Sequence, residues 1–99
     1  MHEHGLAKEL WPQLKQIADA RGLERVRRLE LIVGMLHGVS AEMLVHSFAH
    51  AFEGTNFEGA EVAVTVVEPG QEFMPPNASQ PTTAHGWELL IVRMEEVDE

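Results

Sequence analysis

The spacing of apolar residues switches along this chain between a helical period and a strand period, and that alternation limits the fold more than any other feature. Leu6, Leu10, Leu14 and Ile17 step by four, four and three, which is one face of a helix over residues 5–20. Ala7, Ala18 and Ala20 favour helix, and Gly22 after Arg21 marks its stop. Pro12 interrupts the pattern: it has no N–H for the carbonyl of Lys8, so a kink or a late helix start is expected there. Residues 24–33 change to period two. Leu29, Leu31 and Val33 lie on one side of a strand, with Val26, Arg28, Glu30 and Ile32 on the other, and Gly34 ends it. A loop, Met35 to Val39, leads to Ser40, a good N-cap with Glu42 in the first turn and Val39 and Leu44 at staple positions. This second helix runs to about Phe52, turns Leu44, Phe48, Ala51 and Phe52 inward, and stops at Gly54. Residues 60–68 return to period two through Val62, Val64 and Val66.

Residues 69–86 carry four of the five prolines and no periodicity, so a long irregular loop is expected. A third strand follows over residues 87–95, and Val97-Asp98-Glu99 reads as a loose end. The order is helix, strand, helix, strand, loop, strand. Two strands joined through a helix pair in parallel by a right-handed crossover, and the third returns antiparallel. The expected fold is α+β in two layers, a three-stranded sheet covered on one face by two helices, in one domain of 99 residues. Leu90 and Val92 are apolar on the face away from Leu89 and Ile91. That face must be covered by the 69–86 loop or by a second copy of the chain, as in a homodimer.

Charge and composition exclude several functions. Sixteen Asp and Glu against seven Lys and Arg give a net charge of -9, which repels nucleic acid and anionic membrane. Arg21, Arg25, Arg27 and Arg28 are the one basic cluster, either a solvated edge or a patch for an acidic partner. Without cysteine there are no disulfides, thiolate zinc sites or cysteine nucleophiles. The polar start Met1-His2-Glu3-His4-Gly5 is unlike a signal peptide, and no apolar stretch is long enough to span a bilayer, so a cytoplasmic protein is expected.

The same start is the first candidate for chemistry. A free α-amine on Met1, the amide nitrogen and imidazole of His2, and the amide of Glu3 can chelate one ion through fused rings. Four nitrogens in a plane suit Ni(II) or Cu(II), and His4 can add an axial or substitute nitrogen if residues 1–5 are not helical. The chelate requires that Met1 be the chain terminus, and the bulky second residue favours its retention. The alternative is a frayed polar end that contains two histidines. His46 and His50 form a second candidate at i and i+4 on the second helix, beside Glu42 and Glu53; such a pair can chelate Zn, Ni or Cu, or can be two surface histidines. His85 and His37 sit in loops. There is no glycine-rich phosphate loop, no nucleophile signature at Ser40 or Ser47 and no paired acid and base, so this chain is not expected to be an enzyme.

The sequence resembles the HypA family of nickel chaperones in hydrogenase maturation. The likeness runs from Met1-His2-Glu3 through Leu29-Glu30-Leu31-Ile32-Val33-Gly34, Gly38-Val39-Ser40-Ala41-Glu42-Met43-Leu44 and Phe52-Glu53-Gly54-Thr55 to Glu58-Gly59-Ala60-Glu61-Val62. It resumes at Gly86-Trp87-Glu88-Leu89-Leu90-Ile91. The resemblance implies Ni(II) bound by Met1, His2 and Glu3, with His2 the indispensable side chain. It implies delivery, with a nickel-insertion GTPase as partner, to a [NiFe]-hydrogenase large-subunit precursor or to urease. The family also carries a zinc module with paired Cys-x-x-Cys motifs between its last two core strands. Here Pro69 to His85 stands in that place without cysteine, so no zinc is expected and the chain reads as one nickel-binding domain over 1–99. The alternative role is a metal-independent adaptor or assembly chaperone that binds the precursor or the GTPase.

Overall fold

In the computed structural model residues 2–96 are described, the first three of them by their backbone alone; the expected loose end at 97–99 lies outside that range. The order is α1 (His2–Ala20), β1 (Arg28–Gly34), a 3-10 helix (Met35–His37), α2 (Ala41–Ala51), β2 (Glu61–Val67), β3 (Glu72–Phe73), β4 (Thr82–Thr83) and β5 (Leu89–Glu95). The main sheet runs β2-β1-β5, with β1 parallel to β2 and antiparallel to β5. This is the expected α+β arrangement of two helices on a mixed sheet.

α1 buries Leu6, Ala7, Leu10, Leu14 and Ala18. It continues through Pro12 as one element, with no late start. Pro12 and Lys8 are both exposed, so water can satisfy the carbonyl that the missing N–H leaves free. α2 starts where Ser40 accepts the N–H of Met43 at 3.3 Å. The buried Phe48 of α2 and Phe52 at its C-cap join Phe57 and the half-buried Trp11 in one aromatic cluster. The Trp11 and Phe57 rings meet edge to face, 5.1 Å apart.

Two strand limits and one register differ from the sequence pattern. β1 begins at Arg28, not residue 24, because the Glu24 and Arg25 N–H groups are taken by the Glu96 carboxylate at 2.9 and 3.0 Å. β5 begins at Leu89, so Trp87 and Glu88 belong to the preceding turn. β5 also carries a bulge at Val92, since Glu30 pairs with Arg93 and the next β1 residue, Leu31, pairs with Ile91. The bulge reverses the alternation. Met94 turns into the core that Leu89 and Ile91 line, and Arg93 comes to the outer face beside Glu30.

The chain's own 69–86 segment, which is more ordered than a loop, covers the Leu90 part of the outer face, while Val92 at the bulge stays exposed. β3 and β4 pair, the Gly70 N–H donates to the Ala84 carbonyl, and the Ala84 N–H donates to the Gln71 carbonyl. Ala84 and Phe73 pack on Ile32, Val67 and Leu90 in a second small core. The rest of that face is ionic: Arg28 bonds Glu30 at 2.8 Å and Glu61 at 2.9 Å. The Arg28 guanidinium is held above its usual range, first by the Glu30 hydrogen bond and then by the nearby charge of Glu61.

Candidate metal centre

Both helices lead into the starts of parallel strands, so they run in the same direction. The connections lie side by side: the Val26 N–H donates to the Asn56 carbonyl at 2.9 Å, and the Asn56 side chain donates to the Leu23 carbonyl. The N-terminal ends of the helices therefore stand at the opposite end of the sheet, where β1 runs into the 3-10 helix. The start of α1 is at that end. Met1 lies outside the described residues, and the side chains of His2, Glu3 and His4 are not described; their backbone is the first turn of α1. The first four N–H groups of a helix have no carbonyl four residues before them. The His2 and Glu3 amides are thus free of intrahelical bonds, and coordination by them would break none.

Near that end the structure builds a tight turn from residues 84–88. Glu88 is buried, and its two carboxylate oxygens accept the N–H groups of His85 at 2.8 Å and Gly86 at 3.0 Å. Burial pushes this carboxyl up. The backbone N–H bonds and the His85 imidazole outweigh it, and the net effect is a pKa below the ordinary 4.5. His85 is part of the same turn: its Nδ1 accepts the Trp87 N–H at 3.0 Å, and its Nε2 is 3.5 Å from Glu88. The turn takes up the His85 Nδ1, and its Nε2 faces the Glu88 carboxylate. His37 sits across the turn, with Nε2 facing the Trp87 carbonyl at 3.1 Å and its ring edge-on to the exposed indole. Sequence reading missed the part Glu88 plays here; an acidic residue just before an apolar strand gives no signal that it folds back on its own turn.

His46 and His50 are exposed on α2, with ring centroids 6.3 Å apart. Their neighbour Glu53 places a carboxylate oxygen 3.5 Å from the His50 Nδ1. Among the described residues no group of three or more His, Asp or Glu side chains stands ready to hold a metal ion. In the basic cluster, Arg21 donates to the Met94 carbonyl at 2.9 Å, and Arg28 is spent on Glu30 and Glu61.

The family model for hydrogenase/urease nickel incorporation metallochaperones, HypA, matches residues 1–72, from the N-terminal triad through β2 and into β3. The chain belongs to the HypA family. Its likeness to the hydrogenase maturation factor HypA of Chloroflexus aurantiacus is 32% identity over 113 aligned residues, covering 96% of this chain and 98% of that one. The HypA of Chlorobium phaeobacteroides is 39% identical over 69 residues, 70% of this chain and 61% of the relative. Two solved structures share the fold. The solution structure of the Ni metallochaperone HypA from Helicobacter pylori aligns with a TM-score of 0.56 at 14% identity, over 97% of this chain and 95% of that one. A second HypA solution structure aligns with a TM-score of 0.59 at 15% identity, over 100% of this chain and 98% of that one. HypA proteins are nickel metallochaperones and maturation factors, not enzymes. No helix among the described residues of this HypA-family chain is long and apolar enough to cross a membrane.

Proposed function

We propose that this chain carries Ni(II) at its N-terminus and hands it to a hydrogenase or urease precursor with the help of a nickel-insertion GTPase. The reading rests on one observation: the family match begins at residue 1 and includes Met1-His2-Glu3. Nickel is the cargo here. The Met1 amine, the His2 amide and imidazole and the Glu3 amide supply four nitrogens, a donor set that suits Ni(II) in a plane. His4 is given no ligand role, because it could substitute only at a non-helical start and the backbone from His2 onward is helical. The helical start is compatible with this set, because the His2 and Glu3 amides have no intrahelical carbonyl to give up. An ion held at a chain end keeps an open path to a receiving protein. The chain holds no cysteine, so a thiolate zinc site has no ligands, and the 69–86 segment is held by Phe73 and Ala84 against the sheet. We assign it no zinc.

A titration of untagged protein with Ni(II), read by calorimetry and visible absorption, tests the proposal. One tightly bound equivalent with a planar-nickel band is expected. His2→Ala, and separately Gly-Ser added before Met1, should each abolish both signals. Unchanged tight binding in the extended protein would refute a site that uses the terminal amine. Partner capture that is equally strong in chelator and in nickel would point to the metal-independent adaptor instead.

A further inference from the structure

We infer that His46 and His50 form a second divalent-metal site on α2, independent of the N-terminal one. The two residues are one helical step of four apart, so their rings leave the same face. Both are exposed, and their ring centroids are 6.3 Å apart. Two imidazoles on one ion, each with a metal–nitrogen distance of about 2.0–2.1 Å, have centroids roughly 4.5–5.3 Å apart. Closing the remaining distance of roughly 1–2 Å takes side-chain rotations within exposed rotamer wells.

Three further features favour a cation there. Glu53 places a carboxylate oxygen 3.5 Å from the His50 Nδ1, so a small rotation brings it to the position from which an outer carboxylate orients a ligating imidazole. His46 has no hydrogen-bond or ion-pair partner among the described residues, so both of its nitrogens remain available. His50 lies in the last turn of α2, where the helix dipole is negative, and Glu42 sits four residues before His46 on the same stripe. Two nitrogens with water completing the shell hold an ion loosely and exchange it quickly. That suits a borderline ion such as Ni(II) at an entry or hand-over point, not a resident structural metal.

The test uses the full chain with Gly-Ser before Met1 and with His2→Ala, so that no N-terminal chelate of amine and His2 imidazole can form. Ni(II) as its chloride is titrated and followed by calorimetry and by paramagnetic broadening of the histidine ring signals in NMR. Residual binding is expected, with His46 and His50 broadened first. His46→Ala and His50→Ala should each weaken it at least tenfold, and His37→Ala should leave it unchanged. Glu53→Gln, which keeps both imidazoles, should weaken it less than either histidine substitution. No binding in the extended protein, or affinity unaffected by His46→Ala and His50→Ala, overturns the inference. Because the N-terminal chelate is blocked throughout, the result stands apart from the fate of the N-terminal reading.

Discussion

Gly34 is the position where one added methyl group tells most about how this fold closes. It ends β1 and faces the 84–88 turn. A Cβ built on it would overlap the Gly86 carbonyl carbon and oxygen and lie 2.5 Å from the Trp87 nitrogen. All three are backbone atoms, so no side chain can rotate aside. Overpacking of this kind costs about 1–3 kcal/mol. The turn must then move off β1, which strains the Gly34 N–H to the Glu88 carbonyl and the Leu36 N–H to the Gly86 carbonyl, both 2.8 Å. Each such bond contributes about 1 kcal/mol, so Gly34→Ala should cost roughly 3–5 kcal/mol. A domain of this size has about 5–15 kcal/mol in total and loses roughly 4–8 °C of Tm per kcal/mol. Urea unfolding followed by circular dichroism, with Trp fluorescence alongside, measures the loss. Gly38→Ala is the comparison: φ is +70°, but nothing lies within 4 Å of an added Cβ, so only the left-handed strain of about 1–2 kcal/mol applies. If Gly34→Ala costs no more than Gly38→Ala, the close approach of β1 and the turn is not a real constraint and the reasoning fails.

Glu88 should leave a signature in acid. Its folded pKa lies below the unfolded value near 4.5, so between the two values the unfolded chain binds more protons. Its contribution is therefore complete above the unfolded value and is lost as pH falls through the folded one. The stability gap between the natural chain and Glu88→Gln should be flat at neutral pH and shrink in that acid window; a gap constant through it would refute the assignment. Phe57→Ala should cost about 3–5 kcal/mol in urea unfolding, because it empties the centre of the aromatic cluster against Trp11 and Phe52. A loss under about 1 kcal/mol would show that Phe57 is not a core residue.

Much of the architecture is legible in residue spacing. The leucine steps of α1, the Ser40 cap of α2 and the valine alternation of β2 are local patterns, and each element formed where its pattern stands. What was not legible depends on contacts far apart in sequence. The Val92 bulge exchanges the faces of Arg93 and Met94, and no alternation count reveals it, because its cause is the pairing with β1. Phe57 lies in a connection between elements and shows no period, yet its side chain is fully buried. The Pro-rich 69–86 segment has too few strand residues to announce β3 and β4, which pair only because Phe73 and Ala84 find Ile32, Val67 and Leu90. Among the candidate ligands, the spacing of His46 and His50 was enough to place both on one face, since four residues make nearly one turn. His85 looked equally available in sequence. Only the fold shows its Nδ1 taken by the Trp87 N–H and its Nε2 turned to the Glu88 carboxylate.

The sequence by itself determined the order and type of the main elements, the two helical faces, the lack of thiolate ligands and the family, because these follow from local periodicity, composition and ordered motifs. Tertiary structure alone decided which face of β5 is buried, what covers the outer side of the sheet, and which histidines are free. Those outcomes turn on register and on backbone groups brought together from distant parts of the chain. A carboxylate such as Glu88 or Glu96 finds its N–H partners only after the strands have paired, and no local pattern encodes that meeting.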